Sequence, residues 1–222
     1  RWAKQCPICS LETPATDDKQ IWCAGCENEL LLVSNNDLVA WMPRRLAQFQ
    51  LVNYVASGGV GYVFFGVDSA TNESVAIKVL KPELCETDTW QRSMQKEATV
   101  MQSFDSPHLI GFRDSGKTGQ LHWVATEWVD GHSLADNLKL MKNNDEQHTL
   151  NEISYFMKPI SRGLQELHHA GLIHHDMKPS NVLLTQSGQA KLADFGITRS
   201  DSKNNTTVTT ALTAAGTGPY MA

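Results

Sequence analysis

The sequence predicts an α+β protein in which strands dominate the middle of the chain and helices the later part, behind a small cysteine module. Three observations predict it. Two C-x-x-C pairs, Cys6-Pro7-Ile8-Cys9 and Cys23-Ala24-Gly25-Cys26, stand near the start. Between Phe49 and Val129, short apolar runs that partly alternate with polar residues are broken by a glycine-rich turn, the pattern of half-buried strands. Between Ile153 and Leu167, apolar residues recur every three or four positions, the period of an amphipathic helix.

The 222 residues suffice for one medium domain and a small one. With 41% hydrophobic and 19% charged residues the chain should bury a core, and disorder over its whole length is excluded. A net charge of -5, with no dense Lys/Arg stripe among stacking aromatics, argues against a nucleic-acid partner. No apolar run approaches the ~18 residues of a membrane span and no signal peptide opens the chain, so a cytoplasmic location is the default. The chain opens on Arg1 and ends on Ala222 after a glycine-rich turn, so a fragment is expected, with any anchor or sensor outside it. No feature specifies an oligomeric state.

The two C-x-x-C pairs are thirteen residues apart, with the polar stretch Thr13 to Gln20 between them. Each pair can wrap two thiolates round one ion, and a module of about thirty residues is too small to hold a core without such a staple. Cys6, Cys9, Cys23 and Cys26 thus form a candidate structural zinc site, and the module, residues 1–30, resembles a zinc ribbon. Two disulfides are the competing reading, and iron in a rubredoxin-like site another, against which Ser10 and Glu27 occupy the usual knuckle glycines. Trp22 is expected in the mini-core, and Cys85 lies outside the pattern of the four. Residues 31–48 read as a connector, with an apolar patch at Leu30 to Val33 and a short helix around Asp37 to Trp41 that Pro43 ends.

A strand from Phe49 runs into Ala56-Ser57-Gly58-Gly59-Val60-Gly61-Tyr62-Val63 and a second strand through Phe65. Glycines in such a turn let backbone N–H groups approach a phosphate chain, although a plain hairpin turn fits the same residues. Val75-Ala76-Ile77-Lys78 is an apolar strand ending in lysine, and a helix from about Thr89 to Phe104 carries Glu97. A lysine there is costly to bury unpaired, and Glu97 is its natural partner by position, ahead of Glu73 and Glu83. Leu121 to Val129 is a further strand, and Leu134 to Lys142 and Ile153 to His169 are helices. The stripe of Ile153, Phe156, Met157, Ile160, Leu164 and Leu167 reads as core, open to solvent if further helices are missing.

His174-His175-Asp176-Met177-Lys178-Pro179-Ser180-Asn181 sets an acid, a lysine and an amide on one short loop. Asp176 can accept a proton, Lys178 can neutralise a phosphate, and Asn181 can hold a metal through its amide oxygen. Thirteen residues past Asn181, Asp194-Phe195-Gly196 supplies a second metal-holding acid behind a strand, Ala190 to Ala193.

In this order and spacing the motifs resemble the eukaryotic-type Ser/Thr protein kinases. The resemblance covers residues 49–222 and implies a two-lobed fold: an antiparallel β small lobe with one helix (49–126), a hinge (127–131) and an incomplete, mainly α large lobe (132–222). It implies ATP and Mg2+ as cofactors and a protein carrying Ser or Thr as substrate. Ala56, Ser57, Gly58, Gly59, Val60 and Gly61 would cover the phosphates, Lys78 would contact them, and Glu97 would hold Lys78. Val63, Ala76 and Leu183 would line the adenine pocket, Thr126 would guard its back, and the Glu127 carbonyl and Val129 N–H would bind the adenine edge. Asp176 would be the catalytic base, Asn181 and Asp194 would hold Mg2+, and Lys178 would offset charge on the transferred phosphoryl group. His174, Phe195, Met101 and Phe112 would support the site.

Two positions depart from the family pattern. Ala56 replaces the first loop glycine, a small change, and His175 stands where most members carry an arginine that pairs with a phosphate on the activation segment. Imidazole, titrating near pH ~6.5, pairs weakly at neutral pH, so activity should depend little on that phosphorylation. Thr206, Thr207, Thr209 and Thr210 lie in the polar segment Ser200 to Thr213, and Thr217 lies in a turn resembling the peptide-docking turn. A nucleotide-binding scaffold that presents the ribbon or a peptide groove to a partner is the alternative reading. The intact set of Lys78, Asp176, Asn181 and Asp194 weighs against it.

Overall fold

The computed structural model describes residues 5–13, 20–34, 39–81, 83–195 and 198–199. Gly196, the segment Ser200 to Thr213 with Thr206, Thr207, Thr209 and Thr210, and Thr217 lie outside the described residues. The chain divides into two compact units, residues 1–98 with 113–128 and residues 99–112 with 129–222.

The first unit opens with an antiparallel three-stranded sheet of β1 (Gln20–Trp22), β2 (Glu29–Ser34) and β3 (Val39–Pro43), in sequence order. Leu30 and Trp41, 0% and 2% exposed, pack with Cys6 and Cys23 to form its small core. Two expectations are corrected here. Residues 39–41 are strand rather than helix, because Leu32 pairs with Trp41 and Leu31 with Met42 across β2 and β3. Trp22 is 68% exposed on the edge strand, and Trp41 fills the mini-core in its place. The stretch read as a connector therefore carries most of this sheet.

A six-stranded antiparallel sheet follows, ordered β4-β5-β6-β7-β9-β8. Its strands are β4 (Arg45–Leu46), β5 (Phe49–Ser57), β6 (Gly61–Asp68), β7 (Ser74–Leu80), β8 (Phe112–Thr118) and β9 (Leu121–Glu127). Phe49, Phe64, Val75, Ile77, Val79, Leu121, Trp123 and Ala125 form its core, with Trp123 edge-on to Phe49 at 5.7 Å between centroids. Ala40 and Met42 from β3 join the same core, and Ile8 packs against both cores. Helix α1 (Asp88–Gln102) carries Glu97.

In the second unit, β10 (Gly131–Ser133), β12 (Val182–Thr185) and β13 (Ala190–Leu192) form an antiparallel sheet, and β11 (Leu172–Ile173) pairs with β14 (Thr198–Arg199). Two helices accompany them, α2 (Leu134–Asn143) and α3 (Leu150–His169). Thr149 caps α3 in a reciprocal box, its hydroxyl accepting from the Glu152 N–H while Glu152 Oε2 accepts from the Thr149 N–H at 2.7 Å. The stripe on α3 is core only in part. Ile160, Gly163 and Leu167 are buried, whereas Ile153 and Met157 are 39% and 45% exposed. No helix of the described residues is long and apolar enough to cross a membrane.

Candidate active site

The loop after β11 is built by residues that fix one another. Lys178 Nζ donates to Asp176 Oδ2 at 2.7 Å, and Asn181 Nδ2 donates to the same oxygen and to the Asp176 backbone carbonyl, both at 2.9 Å. Pro179 opens a single 3-10 turn, Pro179–Asn181, which buries Asn181 to 4% exposure. The Asn181 amide spends its nitrogen on Asp176, and its oxygen has only a long 3.5 Å contact from the Ser180 hydroxyl. Both side-chain bonds to Asp176 fall on Oδ2, so Oδ1 is the oxygen they leave for an incoming proton donor.

The Asp194 loop is tied directly to this one. The Ala193 N–H donates to the Asn181 carbonyl at 2.9 Å, and His174 Nε2 reaches the Ala193 carbonyl at 3.2 Å. The Asp176 N–H donates to His174 Nδ1 at 3.3 Å, which assigns the ring proton to Nε2. Burial pushes the His174 pKa down despite its hydrogen bond to Ala193, so the ring is a neutral strut between the loops. It packs edge-on against Phe195, 5.6 Å between centroids, and both rings are 1% exposed. Met101 is buried and Phe112 half-buried. Asp194 is exposed and holds φ 54°, a left-handed conformation uncommon for a non-glycine residue. The Asn181 amide oxygen and the Asp194 carboxylate are hard oxygen donors, the kind that could hold Mg2+.

The first unit carries the remaining predicted residues apart from Val129 and Leu183. Lys78 sits in β7, paired in register with Val63 and Val124, and its Nζ lies 3.7 Å from Glu97 Oε1 on α1. Glu73, the rejected alternative, faces Arg113 instead at 3.5 Å. Ala56 pairs with Val63 and Ser57 with Tyr62, and the turn closes through a 2.8 Å bond from the Gly58 N–H to the Gly61 carbonyl. The glycines differ in what they allow. A Cβ on Gly61 would lie 2.7 Å from the Val79 carbonyl, so β7 itself excludes a side chain there, whereas Gly59 has open space around it. Gly58 and Gly59 are exposed at the tip of the turn, and the Gly58 N–H is used in closing it. The Val60 carbonyl accepts from the Lys81 N–H at 3.0 Å. Ala76 is half-buried opposite Thr126, whose hydroxyl lies 3.4 Å from the Glu127 carbonyl. Val129 and Leu183 belong to the second unit, both half-buried, with Leu183 between Ser133 and Lys191 in register.

The four cysteines converge as well. Their sulfurs all lie within 4.8 Å of one another, with Cys6 to Cys26 at 3.7 Å and Cys9 to Cys23 at 3.5 Å. Four thiolates about 2.3 Å from a zinc ion stand about 3.8 Å apart, so the set fits a tetrahedral ion, and the distances are non-bonded. Burial pushes the Cys6 thiol up to about 12, while against its burial the Gly25 and Cys26 amides hold Cys23 at about 7. Four thiols this crowded need a common cation to ionise together. Each knuckle closes through a backbone bond, Ser10 N–H to the Cys6 carbonyl at 2.9 Å and Glu27 N–H to the Cys23 carbonyl at 2.8 Å. Ser10 and Glu27 adopt φ 66° and 56°, so the knuckles form without the glycines usual there.

One contact was not legible in the sequence: the turn between β8 and β9 touches the first knuckle, where Gln120 donates its N–H to the Pro7 carbonyl at 3.0 Å. The partners are more than a hundred residues apart, and Gln120 belongs to no motif.

Comparison with known proteins extends these observations. The protein kinase domain pattern matches residues 49–222. A probable serine/threonine-protein kinase of Streptomyces coelicolor is 30% identical over 188 residues, covering 81% of this chain and 27% of the relative. The serine/threonine-protein kinase PknA of Mycobacterium tuberculosis is 31% identical over 180 residues, 79% of this chain and 40% of the relative. The chain thus spans well under half the length of these relatives. Among solved structures, the PknI kinase domain of Mycobacterium tuberculosis is similar with a TM-score of 0.60 and 26% identity, over 69% of this chain and 62% of that one.

Proposed function

Because this chain belongs to the protein kinase domain family, we propose that it serves a Ser/Thr protein kinase, transferring the γ-phosphate of Mg-ATP to a protein hydroxyl. The observation that carries the reading is the Asp176 carboxylate held on one oxygen by Lys178 and Asn181, at 2.7 and 2.9 Å. In this reading Asp176 orients a substrate hydroxyl and takes its proton through Oδ1. Lys178, beside Asp176, would offset charge on the phosphoryl group, and its place two residues after the acid suits Ser/Thr rather than Tyr substrates. Mg2+, held by Asn181 and Asp194, would supply charge neutralisation at the phosphates. Lys78, paired with Glu97, would bind the phosphates, and Gly59 would offer them a backbone N–H group. Thr126, Glu127, Val129, Val63, Ala76 and Leu183 would receive the adenine. The four cysteines would hold a structural zinc ion.

The test is transfer of labelled γ-phosphate from Mg-ATP to a generic basic protein and to the protein itself, with Asp176→Asn alongside. Loss of a positioned base should reduce transfer by about 10^2- to 10^4-fold with nucleotide binding retained. Phosphoserine or phosphothreonine made by the parent and lost in the variant supports the reading. ATP binding without transfer in either moves the assignment to a nucleotide-binding scaffold.

A further inference from the structure

The zinc-fitting module touches the nucleotide-binding half at a defined place. Gly119 and Gln120 form the turn between β8 and β9, and Gly119 holds φ 59°. A Cβ on Gly119 would fall 2.4 Å from the Ile8 Cα and 2.5 Å from its carbonyl oxygen, so the turn is pressed onto the backbone of the first knuckle. Gln120 holds that knuckle twice, through its N–H to the Pro7 carbonyl and through its side-chain amide to the Ser10 hydroxyl. Ile8, between the ligands Cys6 and Cys9, packs into the cores of both sheets.

From that turn the contacts run inward without a break. Trp123 on β9 is buried, packs against Gly116 of β8 and Phe49 of β5, and donates its indole N–H to Thr118 at 3.0 Å. The next residue, Val124, pairs with Lys78, and Thr126 pairs with Ala76. The strand held at one end by the knuckle is therefore hydrogen-bonded along its length to the strand that carries the phosphate-binding lysine. Without an ion, four sulfurs crowded within 4.8 Å have no common partner, and residues 6–11 lose the restraint that keeps Pro7 and Ile8 under the turn.

We infer that zinc bound by Cys6, Cys9, Cys23 and Cys26 acts as a clamp on the β8–β9 hairpin, so that metal occupancy sets the nucleotide affinity of the Lys78 half. The inference rests on reading that half as the ATP-binding part of a kinase. Coupling is carried by a continuous packed and hydrogen-bonded path, and it is reciprocal, so nucleotide should also tighten zinc binding.

The test uses the full chain, with zinc content measured by atomic emission, binding of a fluorescent ATP analogue in Mg2+ buffer, and the thermal midpoint. The zinc-loaded parent comes first: no nucleotide binding there defeats the kinase reading itself. If it binds, phenanthroline stripping followed by dialysis should weaken binding by at least about fivefold and lower the midpoint, and added zinc should restore both. Metal-free protein that binds nucleotide within about twofold of the parent overturns the clamp. Gly119→Ala keeps all four ligands but forces the turn off Ile8. It should hold one zinc per chain yet bind nucleotide like the stripped parent, and nucleotide affinity equal to the parent's overturns the proposed route. Gln120→Ala, which removes one bond without crowding, should shift affinity in the same direction and by less; should Gly119→Ala not fold, stripping and restoring the parent together with Gln120→Ala decide.

Discussion

At the scale of single residues, left-handed backbone divides into places that hold chemistry and places that hold only shape. Asp194 and His175 are at φ 54° and 59°, and Ser10 and Glu27 at 66° and 56°. An L side chain there costs roughly 1–2 kcal/mol. The Glu27 side chain has no part in the sulfur cluster, so Glu27→Gly should raise the stability of the zinc-loaded chain by about 1 kcal/mol, read as a higher denaturation midpoint. A lower midpoint would mean that the carboxylate makes a contact of its own. His175, exposed, faces a different test. If its imidazole has replaced a phosphate-binding arginine, turnover before and after phosphatase treatment should differ by less than about tenfold, or 1.4 kcal/mol, and a larger loss would count against the substitution's proposed effect. Lys78 with Glu97, and Asp176 with Lys178 and Asn181, were legible because the polar groups stand out against apolar or rigid surroundings. Trp22 and Trp41 were not separable that way. Each lies in a short strand beside apolar neighbours, and only pairing on one edge of β2 decides which ring is covered.

At the scale of elements, α1, α2, α3 and β5, β6, β7 and β9 were readable because each repeats its period over several residues, whereas β10, β11 and β14 are two or three residues long and carry none. The supposed helix at Asp37 to Trp41 failed for a related reason: five residues cannot separate a turn of helix from a strand, and the Leu32 to Trp41 pairing that decides it is non-local. Helix α3 shows what period alone leaves out. Gly163 looks like a weak point that alanine would strengthen by about 1 kcal/mol. A Cβ there would lie 3.0 Å from Leu109 Cδ2 and Leu192 Cδ1 and 3.1 Å from the His108 carbonyl. That carbonyl accepts the Leu192 N–H at 2.8 Å and cannot move aside cheaply. Gly163→Ala should therefore be destabilising by about 1 kcal/mol or more in urea unfolding, the crowding outweighing the propensity gain. A stabilised variant would show that α3 can slide on β13.

Across the whole molecule, two buried histidines set the response to acid. His174, in the second unit, and His122, in the first, are 1% and 6% exposed. Burial lowers the pKa of both, and the charge of Lys117 adds to the effect at His122. In the unfolded chain each titrates near ~6.5. Below that pH the unfolded chain binds more protons than the folded one, so stability rises with pH through this window. The contribution is complete above the unfolded value and is lost as pH falls toward the depressed folded values. The thermal midpoint should therefore drop as pH is lowered from 7 toward 5, before the carboxylates titrate. His174→Gln and His122→Gln should each flatten that slope, even where they lower the midpoint at pH 7 through lost packing. Because the two rings sit in different units, the pair also reports cooperativity. If the units melt in separate steps, each variant flattens only its own transition; if they melt together, either variant flattens the single one. A midpoint that stays constant or rises between pH 7 and 5 would mean that neither ring is held neutral by the fold, and the neutral His174 strut between Asp176 and Ala193 would fall with it.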